Sequence, residues 1–125
     1  MLFYSLFRDH PTQRSLKTGE ILFSQGDPSD FMYVLLTGSA EILISGTVVE
    51  TAGPGTIFGE MSVIDGGIPR SATVVATCDS DFAVVDEKRF NFLVDETPRF
   101  AVEVMRVMAR RLRLTDQNLP ADERP

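Results

Sequence analysis

From Ile21 to Val85 the chain is a succession of short apolar runs, each closed by turn chemistry. This pattern constrains the fold more than any other feature of the sequence. The runs are Glu20-Ile21-Leu22-Phe23, Phe31-Met32-Tyr33-Val34-Leu35-Leu36, Ala40-Glu41-Ile42-Leu43-Ile44, Thr47-Val48-Val49-Glu50, Ser71 to Thr77, and Asp81-Phe82-Ala83-Val84-Val85. Between them lie Gly26-Asp27-Pro28, Thr37-Gly38, Ser45-Gly46, Gly53-Pro54-Gly55 and Asp65-Gly66-Gly67. Glycine and proline at these points break the backbone between strands. Ser45-Gly46, flanked by two apolar runs, predicts a tight hairpin. Many short strands at this spacing imply a mainly β fold, a sandwich or jelly-roll β-barrel (double-stranded β-helix).

The pattern changes after Asp86. Residues 86–94 predict a short helix with Asp86 as its N-cap, and Pro98 opens a longer one. In the longer helix Ala101, Met105, Met108, Leu112, Thr115 and Leu119 recur in steps of four and three, a heptad seam. Val104, Val107 and Leu114 form a second stripe beside it, so one stripe can pack on the barrel while the other meets a partner. The methionines of the seam imply ordinary packing. Residues 1–9 predict a short N-terminal helix or irregular segment packing on the fold, and the tail from Pro120 to Pro125 is expected to fray. At 125 residues the chain fits one domain, with a barrel over about 15–86 and C-terminal helices over about 87–118.

Charge narrows the function. The formal net charge is −6, whereas phosphate contacts favour a basic surface on a DNA-binding domain. Arg106, Arg110, Arg111 and Arg113 cluster near the C-terminus, a distribution expected of a solvated helix face. No direct nucleic-acid binding is expected. The apolar start Met1–Phe7 lacks a basic leader and a cleavage site, and no apolar run reaches membrane-spanning length. A single cysteine, Cys78, excludes an intrachain disulfide and fits the cytoplasm; its strand-like setting predicts a buried thiol. The lone histidine, His10, precedes Pro11 and is expected at the surface. One histidine does not make a metal-binding jelly roll, and no nucleophile–base pair presents itself, so the chain is expected to bind rather than catalyse, with no metal or cofactor.

The chemistry concentrates in Phe58-Gly59-Glu60-Met61-Ser62-Val63-Ile64 and Arg70-Ser71-Ala72-Thr73-Val74. Gly53, Gly55 and Gly59 lead into a predicted short helix near Glu60, where free amides attract an anion and glycine lets it approach the main chain. Arg70, opening a buried strand, needs an anionic partner, and a phosphate suits its planar fork. Glu60 is unfavourable beside an anion unless it accepts from a hydroxyl of the same ligand. The residues alone leave a second reading open, in which Glu60 and Arg70 form a salt bridge.

These two segments resemble the phosphate-binding cassette of cyclic-nucleotide-binding domains, a family that includes bacterial catabolite activators, regulatory subunits of cyclic-AMP-dependent kinase and cyclic-nucleotide-gated channels. Gly19-Glu20-Ile21-Leu22-Phe23, Gln25-Gly26-Asp27 and Tyr33–Ala40 resemble the family's early strands, and Met108-Ala109-Arg110-Arg111-Leu112 the central helix of the catabolite activators. The resemblance implies that Arg70 pairs with the cyclic phosphate, helped by Ser71 and the amides near Met61, Ser62 and Ala72. It implies that Glu60 takes the ribose 2′-hydroxyl with Gly59 allowing close approach, and that Val49, and more weakly Ile57, lines the base pocket. Arg111 and Thr115 match positions that face the purine. Asp116 stands where the catabolite activator has serine; it could accept from an adenine amino group or face water. Ser71, as in cyclic-AMP binders, favours cyclic AMP over cyclic GMP, since cyclic-GMP binders often carry threonine there. The implied protein is a ligand sensor whose C-terminal helix acts as lid and as the seam of a homodimer over 101–119. Two alternatives stand beside it: a dimerisation module of the same fold with a vestigial pocket, and the sensor half of a DNA-dependent regulator acting through a separate chain.

Overall fold

A computed structural model describes residues 2–117, with side chains through residue 114. Its eight strands are β1 (Gln13–Leu16), β2 (Ile21–Phe23), β3 (Met32–Thr37), β4 (Ala40–Ile44), β5 (Thr47–Ala52), β6 (Ile57–Phe58), β7 (Thr73–Ala76) and β8 (Ser80–Val85). Five of the predicted runs match β2, β3, β4, β5 and β8 closely, and the sixth is trimmed to β7. The strands are antiparallel and form two four-stranded sheets, ordered β1-β8-β3-β6 and β2-β7-β4-β5. The chain crosses repeatedly from one sheet to the other, the jelly-roll order. The sheets are not closed into a continuous barrel; side chains from all eight strands join them instead. Leu16, Leu22, Tyr33, Leu35, Ala40, Ile42, Ala52, Phe58, Val74, Ala76 and Phe82 form that core, and Phe58 meets Phe82 edge to face at 5.9 Å. Alternation puts these residues on the inner faces, while in β3 and β6 their chain neighbours Met32, Val34, Leu36 and Ile57 are buried too.

The predicted hairpin joins β4 to β5. Ser45 (φ 50°) and Gly46 (φ 82°) both take positive φ, the requirement of a type I′ turn, whose twist matches that of the flanking strands. Further along the ladder Ile42 pairs with Glu50 but Leu43 with Val48, leaving Val49 as an extra, bulged residue. A second irregularity lies on β2, where Ile21 pairs with Val75 and Phe23 with Val74. Bulges re-aim side chains, and both adjoin residues that matter below.

The helices are α1 (Leu2–Phe7), α2 (Glu60–Ile64), α3 (Glu87–Glu96) and α4 (Pro98–Gln117). The chain divides into two compact units, Met1–Phe90 and Asn91–Pro125, with the boundary inside α3. In the first, α1 buries Phe3 and Phe7 and packs against β3. The backbone N–H of Arg89 donates to Asp86 Oδ1 at 2.7 Å, so Asp86 caps α3 as expected. In the second, the N–H of Phe100 donates to the Thr97 carbonyl at 2.8 Å, and Pro98 takes the first position of α4, where its missing N–H is harmless. Val104 and Val107 of the second stripe are buried, with Phe100, while Met105 and Leu112 of the heptad seam are 57% and 63% exposed. No helix among the described residues is long and apolar enough to cross a membrane. Leu119 and the 120–125 tail lie outside the described residues.

Two expectations are corrected. Cys78 is exposed, not buried. Strand β7 ends at Ala76, so Cys78 falls in the β7–β8 bend, with its thiol 3.3 Å from Ser39 Oγ. His10 is half-buried rather than a free surface residue. Its Nε2 lies 2.8 Å from the Val84 carbonyl, and its ring meets Phe7 edge-on at 5.7 Å, so it ties the N-terminal segment to β8.

Candidate functional site

Strand β6 ends at Phe58, and Gly59 then turns the chain into α2 with φ 72° and ψ 24°, a left-handed conformation. Side chains with a Cβ pay for that region; glycine does not. No side chain caps α2, so nothing of that kind covers its leading amides. The reason for glycine is also spatial. A Cβ at position 59 would lie 2.2 Å from Arg70 Nη1 and 3.1 Å from the Phe31 carbonyl oxygen. The backbone at Gly59 and the guanidinium are in direct apposition.

Arg70 is held from both ends. Its N–H donates to the Asp27 carbonyl and its own carbonyl accepts from Gly26 N–H, each at 2.8 Å. The β2–β3 loop thereby clamps the backbone that carries the side chain, and Ser29 Oγ, donating to the Ile68 carbonyl at 2.5 Å, adds a third tie between the same loops. The side chain turns inward and is only 6% exposed. Nη1 donates to Ser62 Oγ at 2.5 Å and Nη2 to the Phe31 carbonyl at 2.8 Å. The guanidinium carbon sits 4.1 Å from the centroid of the Phe23 ring, a cation–π distance. Nε is buried with no hydrogen-bond partner.

Burial pushes the pKa of Arg70 down, while the nearby charges of Tyr33, Asp30, Asp27 and Glu60 act in the opposite direction. Arginine begins so high that it stays a cation. The fold therefore holds a full positive charge out of water, gives it neutral hydrogen-bond acceptors, and leaves a donor unused. A buried charge with no counter-ion hydrogen-bonded to it is expensive, and such an arrangement suits an anion. The guanidinium's hydrogen bonds go to Ser62 and Phe31, so the alternative in which Arg70 is simply the salt-bridge partner of Glu60 is not what this site shows. Glu60 is buried at 3% exposure in the first turn of α2.

The structure gathers Gly59, Glu60, Ser62 and Arg70 around one point. The Met61 side chain is exposed, so its amide is what it offers. Ser71 is exposed. Ala72 and the bulged Val49 are partly buried against the core cluster, and Ile57 is fully buried. Arg111 is half-buried on α4, in the second unit, and the side chain of Thr115 lies outside the described residues. Sequence reasoning missed Phe23 and the Phe31 carbonyl as part of the site. A backbone carbonyl has no sequence signal. Phe23 belongs to a plain apolar run, and only the irregular β2 register turns its ring toward Arg70.

The profile of the cyclic nucleotide-binding domain matches residues 13–97. Among curated proteins, the chain is 28% identical over 106 residues to a CRP-like cAMP-activated global transcriptional regulator of Mycobacterium tuberculosis, covering 81% of this chain and 47% of the relative. Among solved structures it is similar to the catabolite activator protein of Thermus thermophilus, with TM-score 0.75, 30% identity, and coverage of 93% of this chain and 55% of that one. It is also similar to PKAR CBD2 bound to Sp-2Cl-cAMPS, with TM-score 0.73, 25% identity, and coverage of 88% and 73%. The chain spans less than half the length of the first curated relatives it matches.

Proposed function

The chain belongs to the cyclic-nucleotide-binding domain family, and we propose that it is a ligand sensor for a cyclic purine nucleotide, cyclic AMP ahead of cyclic GMP. One observation carries the reading: a buried guanidinium against Gly59, with no carboxylate hydrogen-bonded to it and with Nε unpartnered. A cyclic phosphodiester supplies the single negative charge such a site needs, and its two exocyclic oxygens suit a planar fork of donors. Arg70 and the amides of α2 hold the phosphate, with Ser71 at its edge. Glu60 accepts from the ribose 2′-hydroxyl, and Val49 borders the base. The names of two relatives point the same way, one regulator being cAMP-activated and one neighbour carrying a cyclic-AMP analogue. The preference for cyclic AMP rests on Ser71.

In this reading α4 is the element whose position the ligand biases, and the domain regulates rather than catalyses. The exposed seam residues Met105 and Leu112 support a homodimer through α4. A scaffold that kept this seam but had lost its ligand would have no use for a buried cation, so the vestigial-pocket alternative is the weaker account of Arg70.

Thermal melting with and without nucleotide tests the proposal. A ligand that binds only the folded state adds about 2.7 kcal/mol at a hundredfold excess over its dissociation constant. A clear upward shift with cyclic AMP, larger than with cyclic GMP, is expected. No shift with either nucleotide refutes the sensor reading.

A further inference from the structure

A cation kept ready for an anion poses a physical problem. A carboxylate partner would fix the guanidinium but would occupy its donors and cancel its charge. An aromatic face holds a flat cation without taking a single N–H. Arg70 rests on such a face in addition to its two bonds, to Ser62 Oγ and the Phe31 carbonyl, neither of which cancels its charge. Its guanidinium carbon lies 4.1 Å over the Phe23 ring and 5.8 Å from the Tyr33 ring. The two rings are themselves neighbours, 6.0 Å between centroids and tilted by 34°, so Tyr33 braces the plate on which the cation rests. Tyr33 is buried, and Phe23 packs on the same core cluster.

The local fold shows how the plate is built. Leu22 points into the core, and regular alternation would send the next residue to the opposite face. The irregular register between Ile21 and Phe23 breaks that alternation and turns the Phe23 ring inward, where it meets the guanidinium. We infer that Phe23, backed by Tyr33, is a positioning residue for the anion site: it orients the Arg70 fork by stacking while taking up neither Nε nor the charge. The inference rests on the cyclic-nucleotide reading of the site. It adds a determinant of affinity that belongs to the aromatic face, not to side-chain volume.

The test compares wild type with Phe23→Leu, Phe23→Met and Phe23→Tyr. Each is titrated calorimetrically with cyclic AMP and with its two phosphorothioate isomers, in which sulfur replaces one or the other exocyclic oxygen; melting curves establish that each variant is folded. Stacking predicts that the Leu and Met variants lose about tenfold in affinity while Tyr stays within about threefold of wild type. It also predicts that the affinity ratio of the two phosphorothioates narrows in Leu and Met, because a loosely held fork distinguishes the two oxygens less. A merely structural role would move the melting temperature and leave that ratio alone. Wild-type affinity in folded Leu and Met variants overturns the inference. So does equal weakening in all three variants with the phosphorothioate ratio retained. If wild type itself binds no nucleotide, the sensor reading falls first and takes this assignment with it, a result distinct from wild-type binding with indifferent Phe23 variants.

Discussion

Replacing Gly59 by alanine sets two parts of the site against each other. The backbone there has φ 72°, and an L residue in that region costs about 1–2 kcal/mol. The new Cβ would also fall 2.2 Å from Arg70 Nη1, a separation no real contact sustains. The Phe31 carbonyl, at 3.1 Å, can yield by a few tenths of an ångström; the guanidinium has to leave. In doing so it gives up its bonds to Ser62 and to Phe31 and its place over Phe23, but it recovers hydration, which offsets much of that loss. The net destabilisation is therefore about 1–3 kcal/mol, near the backbone term. At this chain length it appears as a fall of roughly 3–15 °C in Tm. Affinity suffers far more if, as proposed, the displaced fork is the phosphate's main partner, and a loss of about a hundredfold is expected. Melting curves and calorimetric titration with cyclic AMP, both on G59A, measure the two effects. Wild-type affinity in a folded G59A protein would refute the reasoning, since it would mean that Gly59 and Arg70 need not approach each other to bind ligand.

Other perturbations isolate single elements. Asp86→Ala removes the side-chain cap of α3 and should lower stability by about 1 kcal/mol, read by denaturant unfolding. Met105→Glu combined with Leu112→Glu places charge on the exposed seam of α4; it should convert the proposed dimer to a monomer in light scattering with little change in the fold. For pH, the folded-state pKa of Arg70 lies below its ordinary value, chiefly through burial. A base with a lowered folded pKa adds stability as pH rises only between the folded and unfolded values, and arginine stays charged at neutral pH. Titrations with cyclic AMP at about pH 6 and pH 9 should therefore give the same affinity where this group is concerned; a steep loss toward the higher pH would assign the phosphate to another cation.

The jelly roll was legible where backbone chemistry is local. Ser45-Gly46 specified its hairpin because few residue pairs tolerate two positive φ values. Asp86 and Pro98 marked helix starts because capping and a missing N–H act within one turn. Strands β1 and β6 gave no such signal. Only Leu16 of β1 is buried, so it has no apolar alternation, and β6 is two residues long. Cys78 was misplaced because an apolar run does not say where pairing stops; the ladder does, at Ala76. In α4 the periodicity revealed two stripes, but spacing cannot tell which one is buried, and the burial of Phe100, Val104 and Val107 decides it. In the site, Gly59, Glu60 and Arg70 were readable because their chemistry is unusual for a strand and a helix start. Phe23 was not, because its role comes from a ladder irregularity that only tertiary pairing creates.

The whole account depends on whether the cation at position 70 is what grips the nucleotide's phosphate. Side-by-side calorimetric titration of wild type and Arg70→Ala with cyclic AMP, each first confirmed as folded by its melting curve, measures this most directly. The account predicts saturable binding by wild type and a loss of about a hundredfold or more in the variant. Equal affinity in the two proteins would contradict it.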